Sequence, residues 1–267
     1  MPALLMAVLF FYPLVEVFKF SVLDPSLGLQ NYRHVFSSGA VRQVALTTIR
    51  ICSATTVITL ILGYAFAYVL THTSIVKRNI LFVCVLIPMW ISVLVRAFAW
   101  VMLLRREGIV NSLLMSSGIV SSPLPLVWNE FGVIISMTHY MLPYAVLPLY
   151  TAMHNVDQRL VAAARGMGAS RGQAFLKVFL PLTMPGIVGA GLLVFIFSLG
   201  FYVTPVIVGG GRVLMVAEYT SVQILEVLQW GIGTTLAAML ILVICALLGV
   251  IGKVSNIREL LGVRDAT

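Results

Sequence analysis

The segment LVAAARGMGASRGQAFLKVFLPLTMPG, residues 160–186, is polar and basic in a chain that consists mainly of apolar runs. Its alanines favour a helix, and Gly166 and Gly168 then weaken that helix and allow a turn. Ser170 followed by Gln173 is a capping-box pattern, which predicts that a second helix begins there. The sequence therefore predicts two short helices at an angle, exposed to water, with their basic residues outward.

The second predicted helix has one apolar face, since large apolar residues recur at intervals of three and four: Phe175, Val178, Phe179 and Leu182. Pro181 lacks a backbone donor and predicts that this helix stops or kinks. Pro185 can then lie in the first turn of the next helix. Two interpretations fit such a segment: a docking element for a water-facing partner, or a hairpin that lies on anionic lipid.

The composition places the chain among membrane proteins. Of its 267 residues, 60% are hydrophobic and only 10% are charged, whereas soluble domains are about a quarter charged. The formal net charge is +8, but the basic residues are spread over short loops. This spread is typical of cytoplasmic loops of membrane proteins and argues against a nucleic-acid partner.

Apolar runs long enough to cross a bilayer predict a single transmembrane domain over residues 1–267, all α-helical, with about six spans. The spans are predicted at about 3–22, 44–70, 80–104, 131–152, 184–208 and 231–252, with a cytoplasmic loop at about 153–183. If both termini are cytoplasmic, the inner loops hold nine basic residues and the outer loops five: Arg33, Arg42, Arg105, Arg106 and Arg212. The positive-inside rule favours this orientation.

The 160–186 segment resembles the cytoplasmic loop of membrane subunits of binding-protein-dependent ABC importers. That loop typically reads Glu-Ala-Ala, three residues, Gly, and about nine residues to an apolar-x-Leu-Pro ending. Ala163-Ala164, Gly168 and Leu180-Pro181 match this pattern, whereas Ala162 stands in place of the Glu. The resemblance implies a type I importer permease fold and a set of residues that couple to an ATPase: Ala162, Ala163, Ala164, Arg165, Gly168, Ala169, Ser170, Arg171, Leu180 and Pro181.

Five further motifs resemble the spermidine/putrescine permease branch of that family: residues 29–33 (LQNYR), 87–90 (IPMW), 95–100 (VRAFAW), 106–111 (REGIVN) and 201–210 (FYVTPVIVGG). The resemblance implies half of a translocation pathway for a polyamine. The same importer class could instead carry another small solute, such as an amino-acid derivative, an opine or an aminophosphonate. An ion-coupled secondary transporter, which would show inverted repeats and a midplane ion site, is a further alternative.

The resemblance also implies the partners: a second homologous permease, a pair of ATPase subunits that carry ATP and Mg, and a periplasmic solute-binding protein, in a bacterial inner membrane. This chain itself has no phosphate-binding loop, because Leu247 and Val254 flank its only Gly-Lys pair, Gly252-Lys253, where a glycine and a Ser or Thr are required. We therefore expect a non-catalytic chain without a cofactor. No metal site is predicted, since His139 and His154 lack a second ligand at metal spacing.

Arg96 lies within an apolar run and is a candidate pathway residue, with a structural ion pair or a position at the membrane interface as the alternative. The aromatic pathway candidates could contact an amine or form an interfacial aromatic belt: Trp90, Trp100, Tyr140, Tyr144 and Tyr202. Thr204 is a further pathway candidate. Thr204-Pro205 and the three glycines 209–211 predict a broken helix end. The acidic residues Glu16, Asp24, Glu107, Glu130, Glu218 and Glu226 are all predicted near the outer side.

Overall fold

The computed structural model of the chain describes residues 2–24 and 26–254, with side chains for residues 5, 6, 8–24 and 26–249. The part that it describes contains helices and no strand. The helices are α1 (Pro2–Leu23), α2 (Gln30–Ser37), α3 (Gly39–Thr71), α4 (Ile75–Leu86), α5 (Val93–Leu104), α6 (Ile109–Ser116), α7 (Glu130–His154), α8 (Gln158–Gly166), α9 (Arg171–Ala174), α10 (Leu180–Leu199), α11 (Val203–Gly209), α12 (Val216–Leu225) and α13 (Trp230–Val254). A 3₁₀ turn (Ile87–Trp90) follows α4, and a π-helical turn (Phe175–Phe179) joins α9 to α10. The predicted all-α fold is confirmed.

Four continuous helices of the described chain are long and apolar enough to cross a membrane: Gly39–Thr71, Glu130–His154, Arg171–Leu199 and Trp230–Gly249. They overlap the predicted second, fourth, fifth and sixth spans. Helix α1 overlaps the predicted first span, but several of its side chains lie outside the described residues, so its crossing of the membrane stays a prediction.

The third predicted span, about 80–104, is not one straight helix. Its two halves, Ile75–Trp90 and Val93–Ser116, are bent by 102° at the intervening break. Pro88 lies in the 3₁₀ turn, where its missing backbone donor weakens the helix, and Ile91 then has an extended backbone. The pair counts as a fifth span if both halves belong to one crossing.

The fifth predicted span, about 184–208, is also divided. The long helix ends at Leu199, and α11 begins at Val203. Pro205 occupies the first turn of α11, where its missing N–H is tolerated. The predicted broken helix end therefore exists, but the break precedes Thr204.

The chain divides into two compact units. The first contains the described parts of Met1–Cys52, Ala97–Val133 and Leu199–Gly249. Within it, Val35, Val41 and Leu236 form a buried apolar cluster. The Thr48 hydroxyl accepts a hydrogen bond of 2.9 Å from the Val216 backbone N–H, which fixes the start of α12 against α3.

The second unit contains Ser53–Arg96 and Ile134–Ser198. Small residues allow its helices to approach closely, as is common where helices pack in lipid. A Cβ added to Gly63 on α3 would lie 3.1 Å from the Ala145 Cβ on α7, and one added to Gly186 on α10 would meet Ala152. Leu70, Val85 and Val146 form the buried cluster of this unit.

Candidate functional site

Helix α8 ends in the glycine turn that the sequence predicts. Asp157 caps the N-terminus of α8, since its side chain accepts a hydrogen bond of 2.9 Å from the Arg159 backbone. At the other end the helix stops at Gly166, and Gly168 has φ +93°. This backbone conformation is strained for residues with a Cβ, so the turn depends on glycine at position 168.

Ser170 and Gln173 form the predicted capping box. The Ser170 hydroxyl accepts a hydrogen bond from the Gln173 backbone N–H at 3.2 Å, and the Gln173 side-chain oxygen accepts one from the Ser170 N–H at 2.9 Å. Two donors at the start of α9 are thereby satisfied. This prediction is confirmed in both its partners.

Pro181 was predicted to stop or kink the second short helix, and the stop is wrong. The helix passes through the π-helical turn into α10, so residues 171–199 form one continuous helix. The wider turn, in which the Leu180 N–H donates to the Phe175 carbonyl, occurs just before the proline. Pro185 accordingly lies inside the helix rather than at its start.

Aromatic side chains anchor this segment to α3. Phe175 and Phe179 stack with ring centroids 5.8 Å apart, and the Tyr68 ring meets them edge-on at 5.7 and 5.8 Å. His72 stacks on Tyr68 at 4.1 Å. Phe179 is buried, but Leu182, which was predicted to share its face, is exposed. The apolar part of the anchored face therefore ends at Phe179.

The α3 side of this cluster was not identified from the sequence. Tyr64, Tyr68 and His72 follow one another at intervals of four and therefore lie on one helix face. The Tyr64 hydroxyl also hydrogen-bonds the Thr183 hydroxyl at 3.0 Å. An aromatic i, i+4, i+8 pattern at the end of an apolar helix was the signal that could have located it.

The outer surface of the segment combines basic and apolar side chains. The exposed basic residues are Arg159, Arg165, Arg171 and Lys177. Met167 is 83% exposed, and Leu160 and Leu176 are also exposed. Among the predicted coupling residues, Ala164 is buried and Ala169 and Leu180 are half-buried, while the others are exposed: Ala162, Ala163, Arg165, Gly168, Ser170, Arg171 and Pro181. Such a surface suits a protein partner with an apolar, acidic groove.

Three of the predicted pathway residues lie together in the second unit. The guanidinium of Arg96 lies 4.0 Å from the centroid of the Tyr140 ring. Tyr140 stacks with Tyr144 at 6.2 Å, and Tyr144 meets Phe197 edge-on at 5.2 Å. Arg96 is buried, and its Nε has no hydrogen-bond partner. Arg96 therefore makes a cation–π contact, which was not predicted, and the ion pair considered for it is not seen among the described residues.

The remaining pathway candidates are Trp90, Trp100, Tyr202 and Thr204. Trp90 is 80% exposed in the second unit. Trp100, Tyr202 and Thr204 belong to the first unit. Thr204 is buried there, and Tyr202 accepts a hydrogen bond of 3.4 Å from Ser221. Phe197, which packs on Tyr144, was missed because a phenylalanine in an apolar run carries no distinguishing signal.

Glu218 on α12, which was predicted near the outer side of the membrane, is buried. One of its carboxylate oxygens and the side-chain oxygen of Gln223 have no hydrogen-bond partner. Burial raises the pKa of Glu218 to about 7, with a further increase from the charge of Glu226. An acidic residue in this setting exchanges its proton near neutral pH.

These features define a multi-pass membrane protein with a capped, exposed segment between α7 and α10. Residues 59–256 match the family of binding-protein-dependent transport system inner membrane components, and the chain belongs to that family. It is therefore the permease subunit of an ABC importer in the inner membrane. Such permeases are transport subunits that work with an ATPase and a solute-binding protein.

Several curated relatives cover most of the chain. The spermidine/putrescine transport system permease protein PotB of Haemophilus influenzae is 34% identical, over 81% of this chain and 78% of the relative. PotB of Escherichia coli is 30% identical over 80% and 78%. A probable molybdenum ABC transporter permease of Haloferax volcanii is 29% identical over 90% and 83%.

Solved structures share the fold. One chain of a bacterial ABC transporter involved in the import of alginate superposes with a TM-score of 0.73 at 17% identity, covering 96% of this chain and 93% of that chain. A chain of a bacterial alginate transporter in complex with an alginate-bound periplasmic protein gives 0.74 at 16%, covering 92% and 88%. These likenesses support the type I permease fold that the coupling motif implied.

Proposed function

We propose that this chain forms half of the translocation pathway of an ATP-driven importer for a polyamine. A second, homologous permease forms the other half, and a periplasmic solute-binding protein delivers the solute. A pair of ATPase subunits supplies ATP and Mg. The observation that supports the polyamine assignment is the identity of 34% and 30% to two PotB proteins over about four fifths of the chain.

We propose further that the segment from α8 to the π-helical turn docks on the ATPase. Its exposed side holds seven of the ten coupling candidates, and its buried side holds Phe175 and Phe179 against Tyr68. Since α9 continues into α10 without a break, a displacement of the docked segment moves a membrane-spanning helix directly. ATP-driven closure of the ATPase pair would thereby produce a rigid-body change that gives alternating access.

Ala162 stands in place of the glutamate of the motif, so the segment must dock on the ATPase through other contacts. Ala162 is exposed and uncharged, so it offers no ion pair to the ATPase. Arg165 and Arg171 are exposed on either side of the glycine turn and offer cations instead. We therefore expect acidic side chains on the ATPase surface that faces them.

The test of coupling is Gly168→Val in the assembled transporter. No atom lies within 4 Å of a Cβ at this position, so the cost of valine comes from the backbone at φ +93° rather than from a clash. We expect ATPase co-purification and solute-stimulated ATP hydrolysis to fall about tenfold. The matched control is Gly172→Ala. Gly172 has equally open surroundings but a helical backbone, so this variant should behave as wild type.

If Gly168→Val keeps both wild-type ATPase co-purification and wild-type solute-stimulated ATP hydrolysis, the docking role is rejected. The ion-coupled alternative is disfavoured by the family, whose members depend on a binding protein. Solute transport that persists without ATPase subunits would support the ion-coupled alternative again.

A second candidate solute class is a small molecule with an anionic group, such as the amino-acid derivative, opine or aminophosphonate considered above. The buried guanidinium of Arg96, with its free Nε, favours it, because a like charge disfavours a passing dication. Ligand binding by the cognate solute-binding protein separates the two classes. Binding of spermidine or putrescine in preference to zwitterionic solutes supports the polyamine assignment, and the reverse preference rejects it while leaving the importer class intact.

A further inference from the structure

A pocket of about 420 Å³ lies in the first unit. Its charged lining consists of Arg105, Arg106 and Arg212 with Glu107, and its apolar wall is the segment 125–128. The three arginines are exposed, and neither of the two ion pairs of the described residues includes them. Three guanidinium groups and one carboxylate leave the pocket with a net charge of +2.

The wall of this pocket is held in an unusual backbone conformation. Trp128 has φ +60°, which is rare for a residue with a large side chain. Its backbone N–H donates a hydrogen bond of 2.9 Å to the Val208 carbonyl at the end of α11. Gly210, with φ +58°, lies so close to the indole ring that any Cβ there would contact it. Strain of this kind persists where the surrounding structure holds it, and it is frequent at binding sites.

The pocket also explains an irregularity in the loop charges. Five arginines lie in the predicted outer loops, where the positive-inside rule disfavours them. Three of those five line this one pocket. Arginine presents a planar fork of donors that matches a carboxylate with two hydrogen bonds. Three such groups in the lining of one pocket are expected of a site for an anionic group.

We propose that this pocket receives a carboxylate side chain from the surface of the solute-binding protein. The inference rests on the proposed function, which places these loops on the outer side and supplies that partner. Glu107 favours a protein over a lipid phosphate or a free anion, because a protein surface can present a basic residue to Glu107 beside the acid that meets the arginines. The docked carboxylate would touch both the loop after α5 and the loop after α11.

The experiment measures binding of the solute-loaded binding protein of the same transport system to the full transporter in nanodiscs. The variant is Arg105→Gln/Arg106→Gln/Arg212→Gln, and the matched control is Arg33→Gln/Arg42→Gln, which neutralises the two outer arginines outside the pocket. We expect the triple variant to lower the affinity about tenfold or more and to flatten its salt dependence. The control should stay within twofold of wild type, and ATPase co-purification should be unchanged in both.

Equal losses in the variant and the control would overturn the pocket as a specific site, and so would wild-type affinity in the triple variant. The triple variant could keep its affinity for the solute-binding protein but lose the thermal stabilisation that phosphatidylglycerol gives to the wild-type transporter. That result would assign the pocket to lipid and would also overturn the proposal. If the wild-type transporter binds no solute-binding protein at all, the proposed function fails first, which distinguishes that result from the others.

Discussion

Glu218 is a buried acidic residue outside the long apolar helices, with a pKa of about 7. The folded protein holds this proton more tightly than the unfolded chain, whose carboxyl has the ordinary value of 4.5. Stability from this group is therefore complete below about pH 4.5 and is lost as the pH rises through 7. We expect Glu218→Gln, which imitates the protonated form, to raise the thermal midpoint of the transporter at pH 8 and to change it little at pH 5.

Glu226 provides the comparison for this residue. It is exposed, and its charge is the smaller cause of the raised pKa of Glu218. Glu226→Gln should therefore raise the midpoint at pH 8 less than Glu218→Gln does. A midpoint difference for Glu218→Gln that is the same at both pH values would contradict the protonation argument.

Tyr140 provides the aromatic face over which the buried Arg96 lies. Leucine at this position would leave the cation without that face, at a cost of about 1–2 kcal/mol. Phenylalanine keeps the ring and its quadrupole, so we expect Tyr140→Phe to retain most of the thermal stability that Tyr140→Leu loses. Equal midpoints for the two variants in the purified transporter would show that the ring does not stabilise Arg96.

At the level of helices, the junction between α3 and the π-helical turn is the contact that ties the docking segment to the spans. Phe179 is 3% exposed and packs on Tyr68. Phe179→Ala should destabilise this junction by about 3 kcal/mol, because it removes a buried aromatic side chain. We expect ATP hydrolysis to continue while solute uptake into proteoliposomes falls, so that fewer molecules are transported for each ATP hydrolysed.

The control for the junction is Leu176→Ala on the same π-helical turn. Leu176 is 61% exposed, so its truncation leaves the contact with Tyr68 intact. Uptake for each ATP hydrolysed should stay close to wild type in this variant. An equal loss of coupling in both variants would mean that the exposed side of the turn, rather than its packing on α3, carries the effect.

The two halves of the docking segment show where sequence reasoning succeeds and where it fails. The glycine turn and the capping box depend on local geometry, so Gly168 and Ser170 could be placed from the sequence. The effect of Pro181 depends on whether the helix can absorb a missing donor, and a π-helical turn before it does so. The contact of Tyr68 with Phe179 joins distant segments and was missed, because a local pattern can mark one face of α3 but does not identify the segment that packs on it.

On the scale of the whole chain, composition predicts the membrane class, but it does not predict how each span is bent. Length and hydropathy predict one straight span where the structure has α4 and α5, because the backbone break between these helices lies within an apolar run. The burial of Glu218 could not be predicted either, because a single acidic residue between two spans carries no pattern that indicates burial. Packing within each unit decides both features, and sequence periodicity does not record it.

The orientation of the chain is the last prediction, and it can be tested with single cysteines. Charge counts place the loop containing Ser121 outside and the turn containing Ser170 inside, and both serines are exposed. The helix between them, α7, has 25 residues and is about 37 Å long at 1.5 Å per residue, enough for one crossing. In a variant without the three native cysteines, a membrane-impermeant maleimide added to spheroplasts should label Ser121→Cys and not Ser170→Cys. In sealed inverted membranes the labelling should reverse, so that Ser170→Cys reacts and Ser121→Cys does not, and both should react once the membranes are disrupted. Labelling of Ser170→Cys in intact spheroplasts would reverse the orientation, and it would remove the proposed ATPase docking and the proposed outer pocket together.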